Sequence, residues 1–186
     1  MKVLPWEELG REIRYTTRIF QVRKDRMRSP AGIREREYDV IEAPDWTNVI
    51  AITEEGNVVL IRQYRPGVKK VTLEIPGGMI DPGETPIQAA MRELSEETGY
   101  QSSAWQHLGT IFPNPAIQTN RAFTFLAQSA RRLSEQHPDE DECIEVFERP
   151  LKDVPRLIRD GEIQHSLVVV AFAHLAVHGS LDLNKL

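Results

Sequence analysis

The stretch that decides the reading is GGMIDPGETPIQAAMRELSEETGY, Gly77–Tyr100. From Thr85 onward it is the best helix in the chain. Thr85 is a suitable N-cap, Pro86 suits the first helical position, Ile87, Ala90, Met91 and Leu94 form one apolar stripe, and Gly99 closes the end. The same run carries Glu93, Glu96 and Glu97. At spacings of three and four residues these side chains emerge on neighbouring parts of one helix face, where like charges destabilise by a few tenths of a kcal/mol per pair. An isolated cluster of this kind is usually a solvated face. A hard divalent cation would reverse the sign, and an all-oxygen set suits Mg²⁺ or Mn²⁺ better than zinc.

Outward from this helix, strand patterns precede and follow it. TNVIAITEEGNVVLIRQYR reads as a hairpin turning at Glu55-Gly56-Asn57, and KKVTLEIPGG as a third strand ended by Pro76 and the paired glycines. WQHLGTIFP, RAFTFLAQSA and CIEVFERPL are further strands. LKDVPRLIRDG reads as a short helix near Pro155, and IQHSLVVVAFAHLAVH as a buried C-terminal helix whose valines also suit a strand. Strands and helices mix without regular alternation, which predicts an α/β domain with a mixed sheet. Cys143 alternates into an apolar strand and is expected to be buried and inert. His174 and His178 share a helix face with no acidic partner and read as packing or surface residues.

Composition narrows the function classes. With 186 residues, 40% hydrophobic and 27% charged, the chain fits one soluble globular domain with a small appendage. No apolar run approaches the roughly 20 residues of a membrane span, and the N-terminus lacks the apolar core of a signal peptide. The single cysteine excludes an intramolecular disulfide, and together these features favour the cytoplasm. A net charge of −5 argues against a general nucleic-acid binder but leaves room for a small anion held through a metal. The segment from Arg11 to Glu37 is rich in Arg and Lys. Its alternation, broken around Ser29-Pro30-Ala31-Gly32, reads as an exposed two-stranded hairpin in preference to a phosphate-binding surface.

The longer spacing around the glutamates is far more specific than the cluster itself. Gly78, five residues, Glu84, seven residues, then Arg92-Glu93-Leu94-x-Glu96-Glu97-x-Gly99-Tyr100 reproduces every fixed position of the Nudix box, so the chain resembles the Nudix hydrolases. The resemblance implies a Nudix-type α/β/α sandwich with a mixed sheet over residues 46–186, with the box at 78–100 on a loop-helix-loop. It also implies a small N-terminal β segment over residues 1–45, which in similar proteins pairs two subunits, so a homodimer is expected. It implies that Glu93 and Glu97 ligate Mg²⁺ or Mn²⁺ with Glu96 assisting, and that Gly77 offers its backbone carbonyl at a position without a side chain. Glu84 and Arg92 are expected to brace the helix and loop by an ion pair.

Within that family the sequence is similar to the ADP-ribose and nucleoside-diphosphate-sugar pyrophosphatases. VVLIRQYRPG followed by LEIPGG precedes the box, and Pro115 lies fifteen residues beyond Tyr100. The acidic segment HPDEDECIEV matches the loop that supplies a catalytic base, here Glu140, and a further metal ligand, here Glu142; Asp139 and Asp141 are adjacent alternatives. The expected catalytic group is thus Glu140, Glu96 and Glu97. Among substrate-binding candidates, Arg65 would contact the diphosphate or form a structural salt bridge. Trp46 would stack on a base or pack half-buried, and Glu74 would bind ribose hydroxyls or support the metal site. The substrate implied is a nucleoside diphosphate sugar. Alternatives are a Nudix enzyme for a dinucleoside polyphosphate, coenzyme A or an RNA cap, or a non-catalytic nucleotide-sensing module.

Overall fold

A computed structural model describes residues 2–30, 32–137 and 143–181. The chain divides into two compact units, one formed by Met1–Asp45 with Phe112–Arg121, the other by Trp46–Ile111 with Ala122–Leu186.

In the first unit β1 (Glu7–Thr16), β2 (Gln21–Arg28) and β3 (Glu35–Glu42) form an antiparallel sheet in the order β1-β2-β3. Three basic residues of this segment meet carboxylates across the strands. Arg28 pairs with Glu35 at 3.0 Å and Glu7 at 3.5 Å, Lys24 with Glu37 at 3.3 Å, and Arg23 with Glu42 at 3.0 Å. Ile41 donates its N–H to Ile117 O at 2.7 Å and accepts from Thr119 N at 3.1 Å, which ties residues 112–121 to β3. Asp45 holds both the backbone and the guanidinium of Arg121.

The second unit carries a mixed sheet. Its strands are β4 (Trp46–Thr53), β5 (Asn57–Arg65), β6 (Lys70–Glu74), β7 (Gly77–Met79), β8 (Tyr100–Gln101), β9 (Ala104–Ile111), β10 (Ala122–Arg132) and β11 (Glu145–Pro150). The path is β11-β5-β4-β10-β8, with β6 on β5, β7 on β4 and β9 on β10. The β4–β10 pair is parallel and the others are antiparallel. Helices cover both faces, and β4 shows why through its period of two. Val49 and Ala51 pack in one cluster with Ala90 and Leu94 of α1 (Pro86–Thr98). Ile50 packs in the other with Leu157 of α2 (Val154–Arg159) and Val168, Phe172 and Leu175 of α3 (Ser166–Val177). This is the α/β/α layering expected from the sequence. Among the described residues no helix is long and apolar enough to cross a membrane.

Three local expectations are corrected. The paired glycines are not loop: Gly77–Met79 is a short strand in register with β4, Gly78 opposite Thr47. Met91 is 43% exposed, because the buried face of α1 runs through Ala89, Ala90, Leu94, Glu97 and Thr98. Cys143 is exposed; β11 starts only at Glu145, and it is the neighbouring Ile144 that turns inward.

Candidate active site

The site is built on α1, whose ends are fixed by local chemistry. The Thr85 side chain accepts from Gln88 N while the Gln88 side chain accepts from Thr85 N at 2.9 Å, a reciprocal cap for two orphan donors. Gly99, at φ 74°, ends the helix in the left-handed region and returns its N–H to Ser95 O. Between these ends the three glutamates occupy different environments. Glu97 lies on the buried face, 2% exposed, and accepts from Gly77 N–H at 2.9 Å. Glu93 is half-buried, and Glu96 stands at the exposed rim.

Arg92 organises the acidic side chains. It grips Glu84 with two bonds of 3.0 Å, donates to Glu93 at 2.8 Å and Glu96 at 3.1 Å, and caps the Met79 carbonyl at 3.1 Å. The expected Glu84–Arg92 brace is therefore present, and Arg92, with its single charge, also offsets part of the repulsion between Glu93 and Glu96. Its hydrogen bonds hold the Glu84 carboxyl below the usual carboxylate range.

The two glycines of β7 are required for separate steric reasons. A Cβ at Gly77 would lie 2.3 Å from the Thr47 carbonyl oxygen, so this position is kept bare by β4. A Cβ at Gly78 would lie 2.1 Å from Glu93 Oε1, so here the strand makes room for the carboxylate. Gly77, Gly78, Glu93, Glu96 and Glu97 line one cleft of about 270 Å³, together with Trp46, Arg65 and Arg92. A more apolar cavity of about 450 Å³ shares Trp46 and Arg65 with it and is lined by Pro66, Val68, Leu167 and His165.

Arg65 forms a bidentate pair with Glu74 at 2.9 and 2.8 Å, the structural alternative weighed above, and its position on both cavities keeps it beside any ligand there. Glu74 is 2% exposed and also accepts from Thr72 Oγ1 at 2.5 Å. Burial alone would raise its carboxyl pKa, but Arg65 and Thr72 outweigh burial and hold it below the usual range. Trp46 is half-buried and donates from Nε1 to Asn48 Oδ1 at 3.1 Å. Glu140 and Glu142, with Asp139 and Asp141, lie outside the described residues.

Among the described residues no three His, Cys, Asp or Glu side chains are grouped so as to hold a metal ion by themselves. What the cleft offers is an open wall of oxygen donors: Glu93 and Glu97 on one helix, with the rim carboxylate of Glu96. That arrangement fits a hard cation such as Mg²⁺, which keeps several waters and takes one or two carboxylates plus ligand phosphates. It does not fit a soft or imidazole-seeking metal.

Sequence reasoning missed His165, which caps α3 by accepting from Leu167 N at 3.2 Å and lines the apolar cavity. Burial, more than the nearby Arg65, holds its imidazole pKa below the usual value. A polar residue immediately before an apolar helical run was the available signal. The multiple bonds of Arg92 were also missed, since spacing pairs it with Glu96 but says nothing of the Met79 carbonyl.

Comparison with known proteins agrees with this architecture. The NUDIX domain family matches residues 43–169. An ADP-ribose pyrophosphatase of Bacillus subtilis is 27% identical over 186 residues, covering 100% of both chains. An ADP-ribose pyrophosphatase of Mycobacterium tuberculosis is 32% identical over 177 residues, 93% of this chain and 83% of that protein. A crystal structure of an ADP compounds hydrolase superposes with a TM-score of 0.83 at 24% identity, covering 97% of this chain and 99% of that one, which bears on the fold. With its box intact on α1 and the family match spanning most of its length, the chain belongs to the Nudix family.

Proposed function

We propose that the protein hydrolyses the diphosphate of a nucleoside diphosphate sugar, ADP-ribose or a close relative, to a nucleoside monophosphate and a sugar phosphate. The observation that carries the reading is the cleft in which Glu93, Glu96 and Glu97 face Arg65 and Trp46. The names of the two bacterial relatives support the substrate class.

In this reading Glu93 and Glu97 hold Mg²⁺, with Mn²⁺ as a substitute; the Gly77 carbonyl and Glu142 add ligands, and Glu96 assists. The bound ion neutralises the diphosphate and stabilises charge building on the phosphoryl oxygens. Glu140 takes the proton of a water whose oxygen attacks one phosphorus; the bridging P–O bond breaks and the second phosphate leaves with the electron pair. Arg65, already oriented by Glu74, contributes its cation to the phosphates, and Trp46 offers a face to the base. Residues 1–45 pair two subunits into a homodimer, and the enzyme works in the cytoplasm without a nucleic-acid partner.

The test is product identification with purified protein and Mg²⁺ across ADP-ribose, ADP-glucose, GDP-mannose, a dinucleoside polyphosphate and coenzyme A. Monophosphate plus sugar phosphate from one of the first three is expected. No turnover of any of them refutes the reading. Sedimentation as a monomer at working concentration would refute the homodimer.

A further inference from the structure

Thr47 is fully buried in β4, and its Oγ1 finds no hydrogen-bond partner among the described residues. A buried hydroxyl left unpaired is disfavoured, and strand position 47 needs no hydroxyl, since valine fills the same volume and favours strands. The direction of the side chain follows from the register. Along β4, Val49 and Ala51 pack with Ala90 and Leu94 of α1, so by alternation the Thr47 side chain projects to the α1 face. Thr47 is also the direct cross-strand partner of Gly78, and opposed residues of an antiparallel pair project to the same face. The Cβ direction at Gly78 runs into the Glu93 carboxylate, 2.1 Å from Oε1 and 2.9 Å from Oε2. The Thr47 side chain and the Glu93 carboxylate therefore lie on the same face of this strand pair.

We propose that Thr47 is a positioning residue for Glu93, its hydroxyl donating to one carboxylate oxygen so that the other is presented to a divalent cation. The inference rests on the proposed role of Glu93 in holding Mg²⁺ or Mn²⁺. In the arrangement described here, Glu93 leans on Arg92 through Oε1 and the hydroxyl is left over. A cation competing with Arg92 for that carboxylate gives the hydroxyl its acceptor. Carboxylates that ligate metal are themselves hydrogen-bonded, and loss of such a partner costs about 10–100-fold in metal affinity.

The experiment is Mn²⁺ binding to the full chain without substrate, followed by electron paramagnetic resonance of the free ion, for wild type, Thr47→Val and Thr47→Ser. Thermal melts in chelator accompany it. Expected is an affinity about tenfold weaker in Thr47→Val. Thr47→Ser, which keeps the hydroxyl, stays within about threefold of wild type, and the chelator melt of Thr47→Val is equal to or above that of wild type. Unchanged Mn²⁺ affinity in Thr47→Val overturns the proposal while leaving the metal reading standing. Equal weakening in both variants also overturns it, since packing and not the hydroxyl would then matter. A wild type that binds no Mn²⁺ sinks both.

Discussion

Replacing Arg65 by Met removes the partner of a carboxylate that is nearly out of reach of water. Glu74 is 3% exposed at its side chain and Arg65 28%, and the two are joined by bonds of 2.9 and 2.8 Å. Breaking a buried pair from one side costs about 3–5 kcal/mol, and the partial exposure of Arg65 places this case at about 3. For a chain of this size that corresponds to a fall in Tm of about 6–12 °C. The loss depends on pH with a definite sign. In the wild type the folded pKa of Glu74 lies below its unfolded value, so the contribution is present above about pH 4.3 and disappears as pH falls through the folded value. Without Arg65 the largest remaining influence is burial, which raises the folded pKa, so the variant loses stability as pH rises through it. The gap between the two proteins is therefore widest near neutrality and narrows on acidification. Urea denaturation at about pH 7.5 and about pH 4.5 measures it, and adding Glu74→Gln to the variant should recover most of the neutral-pH loss, because an amide costs less to bury than a lone carboxylate. A loss under about 1 kcal/mol, or an equal gap at both pH values, would refute the reasoning.

Glu97→Gln should leave the melt within a few degrees of wild type, because the amide oxygen still accepts from Gly77 N–H. Its Mg²⁺-dependent turnover of the best substrate should fall at least about a hundredfold, the several kcal/mol that a bound cation supplies. Turnover within threefold of wild type removes the metal role. The two β7 glycines should separate stability from activity. Gly77→Ala sets a Cβ against the backbone carbonyl of Thr47, which cannot move without parting β7 from β4, and should cost about 1–3 kcal/mol. Gly78→Ala meets the mobile end of Glu93 and should lower turnover more than it lowers Tm. Melts and turnover side by side check this, and the reverse ranking contradicts it.

Which parts of this fold were legible in the sequence follows from how local their causes are. The span, cap and terminator of α1 are set by Thr85, Pro86, Gln88 and Gly99, all within the helix or beside it, so reading the residues in order was sufficient. The β4–β5 hairpin likewise turns on Gly56 at φ 80°. β7 escaped because Gly-Gly-Met has no strand propensity of its own. It is a strand only because β4 pairs with it and Glu97, twenty residues on, takes the Gly77 N–H. The grouping of residues 112–121 with the first unit depends on Ile41 meeting Ile117 and on Asp45 meeting Arg121, contacts no local pattern announces. For Cys143 an alternation was read correctly but begun too early, since β11 starts two residues later. At the site, spacing put Glu93, Glu96 and Glu97 on one helix face, and the family resemblance set Glu96 apart as the assisting residue, but neither gave their burial. Burial separates them, with Glu97 against the sheet, Glu93 over Gly78 and Glu96 at the rim.

The repulsion among those glutamates has an answer within the protein itself. Arg92 touches Glu84, Glu93 and Glu96 at once and is anchored to the β7 backbone through Met79, so its one positive charge sits among the carboxylates and offsets part of their repulsion. Being only partly exposed, the guanidinium is screened less than a surface cation would be. This means α1 can fold with its carboxylates clustered before any cation arrives. Under the proposed function, a cation would have to compete with Arg92 for Glu93. Glu97 is different: it is held by a backbone N–H and pinned against β7, so its position is set in advance. Under the proposed function, this division would make Glu97 the fixed ligand and Glu93 the adjustable one. On this basis Glu97→Gln should weaken Mn²⁺ binding in every context. Arg92→Met should strengthen binding at Glu93 while reducing stability, because Glu84 then loses its partner and β7 its side-chain anchor.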